Sequence, residues 1–391
     1  MMVYLDNAAT TFPKPARVCE KVYRCMLECG GNPGRGAHPV AMAAAECVYE
    51  CREAVSDFFG APGADKVIMM PNATFGLNLA IKGLIPPQRS TRTEKMHLII
   101  SDLEHNSVLR PVERLRRDGY ADYSVFPSGA ARGGGSPGET VAAIGRLINR
   151  RTRAVICTAA SNICSVKLPI AEIGALCHAR GLLFIVDAAQ GAGHIALNMK
   201  EQNIDALALP GHKGLYGPGG SGALILGGRY MPTPLIEGGS GAMSFDAEMP
   251  PDPPERYEAG TLNVPAAAGL CAGIGFVKSI GVDEISRRET ALFDRAVSGL
   301  SGIRGVRIYA PRARGPAIGF NVGSIPSDSV ANALGNEGIC VRGGFHCAPL
   351  AHRALGSAER GSVRASFGCF NTFGDVDALC RAVAAIARQK L

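Results

Sequence analysis

From about residue 40 to residue 230, short runs that are apolar at nearly every position alternate with longer stretches in which apolar residues recur every three or four positions. The short runs KVIMM (66–70), HLIIS (97–101), RAVICTAA (153–160), LLFIVDA (182–188), DALALP (205–210) and GALILG (222–227) are predicted strands. The stretches VAMAAAECVYECREAVSDFF, TFGLNLAIKGL, SVLRPVERLRRDG and IAEIGALCHARG are predicted helices. Strands apolar on both faces need cover on both sides, so the pattern predicts a mostly parallel sheet between helical layers. A Pro/Gly-rich passage, residues 231–261, breaks the alternation and reads as a functional loop or a hinge. Helices follow at 264–280 and 283–300, and an α+β pattern closes with the amphipathic stretch GDVDALCRAVAAIARQ. The expected architecture is α/β, with a large domain over 16–250 and a smaller α+β domain built from 1–15 and 251–391. Residues 128–138, SGAARGGGSPG, are expected to form a flexible surface connection, and no internal repeat is visible.

Composition narrows the classes. Hydrophobic residues make up 47% and charged residues 19% of the 391, which suits a folded core and excludes a disordered chain. A chain of this length is expected to divide into unequal domains. The longest weakly polar run, Leu262 to Val277, is broken by Asn263 and Pro265 and is shorter than the ~20 residues of a membrane span. The opening MMVYLDNAATTFPKP has no basic segment followed by an apolar one, so a signal peptide is not expected and a cytoplasmic location is. The 13 cysteines carry neither C-x-x-C pairs nor zinc spacing, so reduced thiols and no metal site are expected. A net charge of +7 without any Trp, with its basic clusters (Arg110 to Arg117, Arg146 to Arg153) reading as solvated helix faces, gives no case for nucleic acid. An anionic small molecule or an acidic partner explains the charge equally well.

The polar residues of interest stand where predicted strands end. LLFIVDA runs into Asp187 and Gln190, DALALP into His212 and Lys213, HLIIS into His105, and RAVICTAA into Ser161 and Asn162. Each has an ordinary explanation alone: a helix cap, a surface histidine, a solvated charge. Four strand ends opening on one crevice make a binding site the better reading, because open α/β sheets bind ligands beyond the carboxyl ends of their strands. A lysine between glycine-containing turns at such an end suits a Schiff base, since desolvation makes its amine nucleophilic. An aspartate nearby would keep a pyridine nitrogen protonated, as pyridoxal phosphate requires. The helix opening at Thr74 would supply amides for a phosphate.

The motifs VYLDNAATTFPKP, GNPGRGAH, SDLEHNSV, AASN, VDAAQGAG, PGHKGLYGP, EAGTLN, VRGGFHCAPLAH and GSVRASFG occur in the order seen in pyridoxal-phosphate-dependent cysteine desulfurases of the class V aminotransferase fold. The resemblance spans residue 3 to about 380, and is strongest to the group with a short segment around the reactive cysteine (SufS-like), within it to a subfamily with an HCAPLAH-type motif. It implies the type I fold of pyridoxal-phosphate-dependent transferases. It implies that Lys213 holds the cofactor covalently, Asp187 faces the pyridine nitrogen, Gln190 the ring hydroxyl, and His105 stacks on the ring and moves protons. Ala73, Thr74 and His212 would hold the phosphate with Thr261 of a neighbouring subunit, hence a homodimer. Asn162 and Arg364 would clamp the carboxylate of L-cysteine, with Asn7, His38, Arg342 and His346 near the site. Cys347, in a Gly-bounded loop, would take the substrate sulfur as a persulfide and pass it to an acceptor protein, His346 and nearby basic residues favouring its thiolate.

Two positions depart from the pattern. Pro210 stands where the family usually has a phosphate-binding Ser or Thr, and Cys164-Ser165 where it commonly has Thr-Gly. Weaker phosphate binding and an altered turn beside Asn162 are expected, with Cys164 a second thiol near the site or a packed turn residue. The alternatives are selenocysteine or cystine C–S(e) cleavage, transamination, or a non-catalytic sulfur relay on the same fold.

Overall fold

The computed structural model describes residues 2–34, 36–85 and 95–390, so the motif GNPGRGAH is described except at Arg35. In chain order the elements are β1 (Val3–Tyr4), α1 (Ala16–Glu28), α2 (Pro39–Phe59), β2 (Val67–Met70), α3 (Ala73–Lys82), β3 (Met96–Ser101), α4 (Asn106–Arg117), β4 (Ala121–Phe126), α5 (Pro137–Leu147), β5 (Thr152–Thr158), α6 (Ile170–Ala179), β6 (Leu183–Asp187), β7 (Ala206–Pro210) and β8 (Gly222–Leu226). After the Pro/Gly-rich passage come α7 (Val264–Ile280), α8 (Val282–Ser301), β9 (Val306–Tyr309), β10 (Ala317–Val322), α9 (Ser327–Asn336), β11 (Ile339–Cys340), α10 (Pro349–Leu355), β12 (Val363–Ser366) and α11 (Phe373–Lys390).

A seven-stranded sheet in the order β2-β8-β7-β6-β5-β3-β4 forms the centre. Only β8 runs antiparallel to its neighbours β2 and β7. Successive side chains of a strand point to opposite faces, and the two faces feed separate cores. Ile99, Val155, Phe184, Val186 and Leu207 pack with Val48 and Val55 of α2 and Ile173 of α6. Leu98, Ile100, Ile156, Ile185 and Ala208 pack with Leu77 of α3 and Val108 and Val112 of α4. This two-sided burial is what the continuous apolar runs require. The α/β expectation, mostly parallel and covered on both faces, holds.

One strand is not among the predicted runs. β4, ADYSVF, is an edge strand paired only with β3, and its middle residues are half-buried or exposed. An edge strand needs fewer apolar residues, so its mixed sequence carries little signal. Residues 128–138, expected as a flexible connection, form a short 3₁₀ turn with Ala130 buried, and Ser136 and Glu139 make a capping box at the start of α5.

An antiparallel sheet β12-β10-β9 lies beyond the long passage with α8 and α9 against it and α11 packed on those helices, and β1 pairs parallel with β11. α7 packs on α1 and α2. Among the described residues no single helix is long and apolar enough to cross a membrane; α7 and α8 meet the criterion only together, across a 77° bend.

A buried ion pair braces the return from the long passage. Arg52 on α2 forms bidentate bonds of 2.8 and 2.6 Å to Glu258, whose Oε1 also accepts the Met69 N–H at 2.6 Å. Both side chains are buried. Removing one partner strands a charge, so Arg52→Ala is expected to destabilise the fold by about 3–5 kcal/mol, read as a drop in Tm.

Candidate active site

Three parallel strands stop at one place. β5 ends at Thr158, β6 at Asp187 and β7 at Pro210, with Thr158 paired to Asp187 and Asp187 to Ala208. The loops that leave them, with the N-termini of α3 and α4, enclose a cavity. Of the residues expected there, Ala73, Thr74, His105, Asn162, Asp187, Gln190, His212 and Lys213 line it, as does Pro210.

Burial sets the protonation states inside. It pulls the Lys213 amine down to about 8, against the attraction of Asp187. It lowers His105 to about 4, with Lys213, Arg110 and Arg364 adding to the effect, and His212 also to about 4. His105 caps α4: its Nδ1 accepts the Ser107 N–H at 3.0 Å, so the proton of the neutral ring sits on Nε2. Asp187 is buried, accepts the Ala189 N–H at 2.8 Å, and is raised by burial, with that N–H and Lys213 pulling it back. Gln190 donates to the Ala8 carbonyl at 2.9 Å.

Two carboxyl groups that sequence reasoning did not single out support these residues. Glu104, fully buried, accepts from the Ser101 hydroxyl and from the Thr158 N–H at 2.9 Å. Burial, with Asp187 adding to it, raises the group to about 8 against the bonds from Ser101 and Thr158, so it is mostly a neutral acid near pH 7. Asp6 holds both arginines: Arg364 Nη2 at 2.6 Å and Arg342 Nη2 at 3.1 Å. The signal for both was their place inside quoted motifs, VYLDNAATT and SDLEHNSV.

Arg364, on β12, is buried and also donates to the Asn162 carbonyl at 3.1 Å. Asn162 Nδ2 donates to the His346 carbonyl at 2.7 Å, while Asn162 Oδ1 and Arg364 Nε are buried without a partner among the described residues. The exposed Cys347 belongs to a turn from Phe345 to Ala348, closed by a 3.0 Å bond from the Ala348 N–H to the Phe345 carbonyl. Its central residues His346 and Cys347 have φ of 47° and 54°. That left-handed region costs a side-chain-bearing residue on the order of 1–2 kcal/mol. The Asn106 N–H, at the start of α4, donates to the Cys347 carbonyl at 2.7 Å and helps hold the turn.

His346 differs from expectation. Its Nε2 donates to the Ser362 carbonyl at 2.9 Å, and burial, with Arg364 adding, drives it down to about 3. A neutral ring offers no positive charge to a thiolate.

The other expected residues are not among those lining the cavity. Asn7 is buried, its amide spent on the Ser366 carbonyl and Asn371 Oδ1. His38 is exposed and caps α2, and Arg342 is exposed beside Asp6. Thr261 is exposed and lines a groove with Arg52 and Glu258, away from Lys213 of its own chain.

Both departures are accommodated. Ser165 takes the left-handed conformation (φ 56°), its hydroxyl donating to the Ala317 carbonyl at 2.8 Å and accepting the Ala317 N–H at 2.6 Å. Cys164 is buried against Ser161 as a packed turn residue. Pro210 ends β7 paired with Gly222 of β8 but past the last residue that pairs with β6; the next residue, Gly211, donates to the Ser221 carbonyl of the β8 side at 2.8 Å, which puts the missing N–H of Pro210 on the side where β6 has ended.

The aminotransferase class-V family model matches residues 3–379, and the chain belongs to that family. A probable cysteine desulfurase of Methanothermobacter thermautotrophicus is 33% identical over 393 residues, covering 98% of this chain and 94% of that protein. A probable cysteine desulfurase of Mycolicibacterium paratuberculosis is 31% identical over 99% of this chain, which spans only 55% of that longer relative. The apo structure of a cysteine desulfurase from Thermococcus onnurineus matches with a TM-score of 0.88 at 29% identity, covering 99% of this chain and 95% of the other.

Two measurements follow from the protonation states. In protein stripped of bound small molecules, reductive methylation of Lys213, followed by mass spectrometry, is expected to rise with a midpoint near pH 8, below the ~10.4 of an ordinary lysine. For His346, folded and unfolded forms are both neutral above ~6.5, so its site costs nothing there. Below that, the unfolded chain takes up a proton that the folded chain refuses until about pH 3. Stability is therefore lost as pH falls through this window, by on the order of 2 kcal/mol at pH 5. The fall in Tm between pH 7.5 and 5 should be shallower in His346→Asn, a residue that tolerates positive φ; an equal slope would contradict the assignment.

Proposed function

We propose that this protein is an L-cysteine desulfurase of the short-loop (SufS-like) group, which converts L-cysteine to L-alanine and leaves a persulfide on Cys347. Curated relatives and a solved structure named cysteine desulfurase, similar over nearly the whole chain, support the activity. The observation that carries it is the meeting of a cavity holding Lys213, Asp187 and His105 with a strained turn that presents an exposed thiol.

The cavity suits pyridoxal phosphate. Lys213 supplies a low-pKa amine for covalent attachment, and the buried carboxyl of Asp187 would pair with a protonated pyridine nitrogen. Gln190 would face the ring hydroxyl and His105 the ring. The amides of Ala73 and Thr74, ahead of the first intrahelical bond of α3, and the His212 side chain suit a phosphate. Pro210 adds no donor there. Thr261, exposed on a groove outside its own cavity, would complete the phosphate site of a second subunit in a homodimer. Once bound, the cofactor would withdraw electrons from the substrate so that its C–S bond can break.

The chain's own residues do the rest. Arg364 and Asn162 would bind the substrate carboxylate, Asp6 keeping the guanidinium in place. Lys213 Nζ, neutral for a substantial fraction of the time near pH 8, would take and return the proton at the substrate Cα, and the neutral His105 would assist that transfer as a hydrogen-bond donor at Nε2. Cys347 Sγ would take the sulfur, so that L-cysteine and the enzyme thiol become L-alanine and an enzyme persulfide. Asn7, His38 and Arg342 would act around this substrate site. The large domain over 16–250 would carry the cofactor, with 1–15 and 251–391 carrying the reactive turn. In the cytoplasm an acceptor protein would remove the persulfide for iron–sulfur or other thio-cofactor assembly.

Mixing the holoenzyme with one equivalent of L-cysteine and no reductant is expected to yield one alanine per site and a persulfide on Cys347 by mass spectrometry. Both are expected to vanish in Cys347→Ser and Lys213→Ala. Alanine still formed by Cys347→Ser would mean C–S cleavage without this thiol and would overturn the proposal.

A further inference from the structure

The turn that carries Cys347 is held in an unfavourable conformation by groups that belong to the cavity. His346 and Cys347 both have positive φ, and such strain persists only while surrounding contacts enforce it. Two contacts fasten the carbonyls of these residues: Asn162 Nδ2 on His346 at 2.7 Å, and the Asn106 N–H on Cys347 at 2.7 Å. Asn162 lines the cavity with Lys213 and Asp187, and Asn106 follows His105, whose ring lines it too. Whatever fills the cavity meets Asn162, one of the two fastenings of the turn.

Asn162 is the sensitive fastening. One N–H of its side-chain amide goes to a neutral carbonyl, its Oδ1 has no partner among the described residues, and its backbone carbonyl sits on Arg364, whose Nε is also unpartnered. A carboxylate arriving beside Arg364 offers that nitrogen a charge-assisted bond, stronger than the one to His346. The amide's acceptor, Oδ1, is repelled by the same carboxylate, so the planar group gains by turning its nitrogen towards the charge and away from the His346 carbonyl. We propose that Asn162 is a positioning residue for Cys347 as well as a substrate ligand: a carboxylate in the cavity draws its amide off the His346 carbonyl, and the strained turn relaxes and frees the thiol to approach the substrate. The thiol is thus held back while the cavity is empty and freed when an amino acid enters. A ligand shifts a conformation only by its differential affinity for the two states, and here the difference is one hydrogen bond exchanged plus the strain released. Because this builds on the cavity as an amino-acid site, its test must separate the two.

The experiment is hydrogen exchange on the holoenzyme with and without saturating L-alanine, which has the amine and carboxylate of the substrate but no sulfur, while the visible cofactor band is followed in parallel. The amides of Asn106 and Ala348, which fasten and close the turn, are expected to exchange about tenfold faster with L-alanine, whereas amides that only gain a ligand's protection would slow. In Asn162→Ala the same amides are expected to exchange fast without L-alanine and to respond little to it. A shifted band with unchanged or slower exchange at these amides would overturn the positioning role alone. An unshifted band would overturn the amino-acid site and the positioning role with it. The wild-type comparison stands whether or not Asn162→Ala folds.

Discussion

The carboxylate of Asp6 lies between two guanidiniums, 2.6 Å from Arg364 and 3.1 Å from Arg342, and through them it ties together parts of the chain that are otherwise separate. Asp6 follows β1, Arg364 is on β12, and Arg364 reaches on to the Asn162 carbonyl beyond β5. The backbone repeats the link, with Asp6 bridged to Ser366 and Arg342 to Arg364. A guanidinium as buried as that of Arg364 is tolerable only when its charge is paired. Without Asp6 the arginine would have no ion-pair partner among the described residues.

Burial then does most of the chemical work. The same desolvation that lowers Lys213 to about 8 also keeps His105, His212 and His346 neutral and holds Glu104 mostly protonated. Its effects differ only because the groups differ in charge type: bases lose protons and acids keep them. The thiol of Cys347 is set apart by geometry and not by charge. Cys347 is exposed, its flanking histidine is uncharged, and what distinguishes it among the 13 cysteines is a turn held out of its preferred conformation.

The departures from the family pattern show how local loss is offset by contacts made elsewhere. Ser165 adopts a conformation that suits glycine because its hydroxyl is clamped to both backbone groups of Ala317 on β10. Pro210 is harmless to the sheet because it lies past the last residue that pairs with β6, while its pairing with Gly222 of β8 is kept. Neither compensation is visible from the neighbouring sequence, since Ala317 is 152 residues from Ser165.

Much of the fold was legible along the chain because the pairing of a central strand and the period of a helix leave local traces. Continuous apolar runs marked β2, β3 and β5 to β8, and the residues just past their ends were the residues of the cavity. β4 escaped because an edge strand needs no apolar signature. Lys213, Asp187, His105 and Asn162 could be picked out as strand-end residues of fitting chemistry. That Asp6 holds Arg364, 358 residues away, that Glu104 is neutral behind Asp187, that His346 carries no charge and that its turn is strained were decided only by the tertiary structure. Charge state and strain depend on which distant groups are brought within a few ångströms and how much water is excluded, and neither quantity exists until the chain has folded.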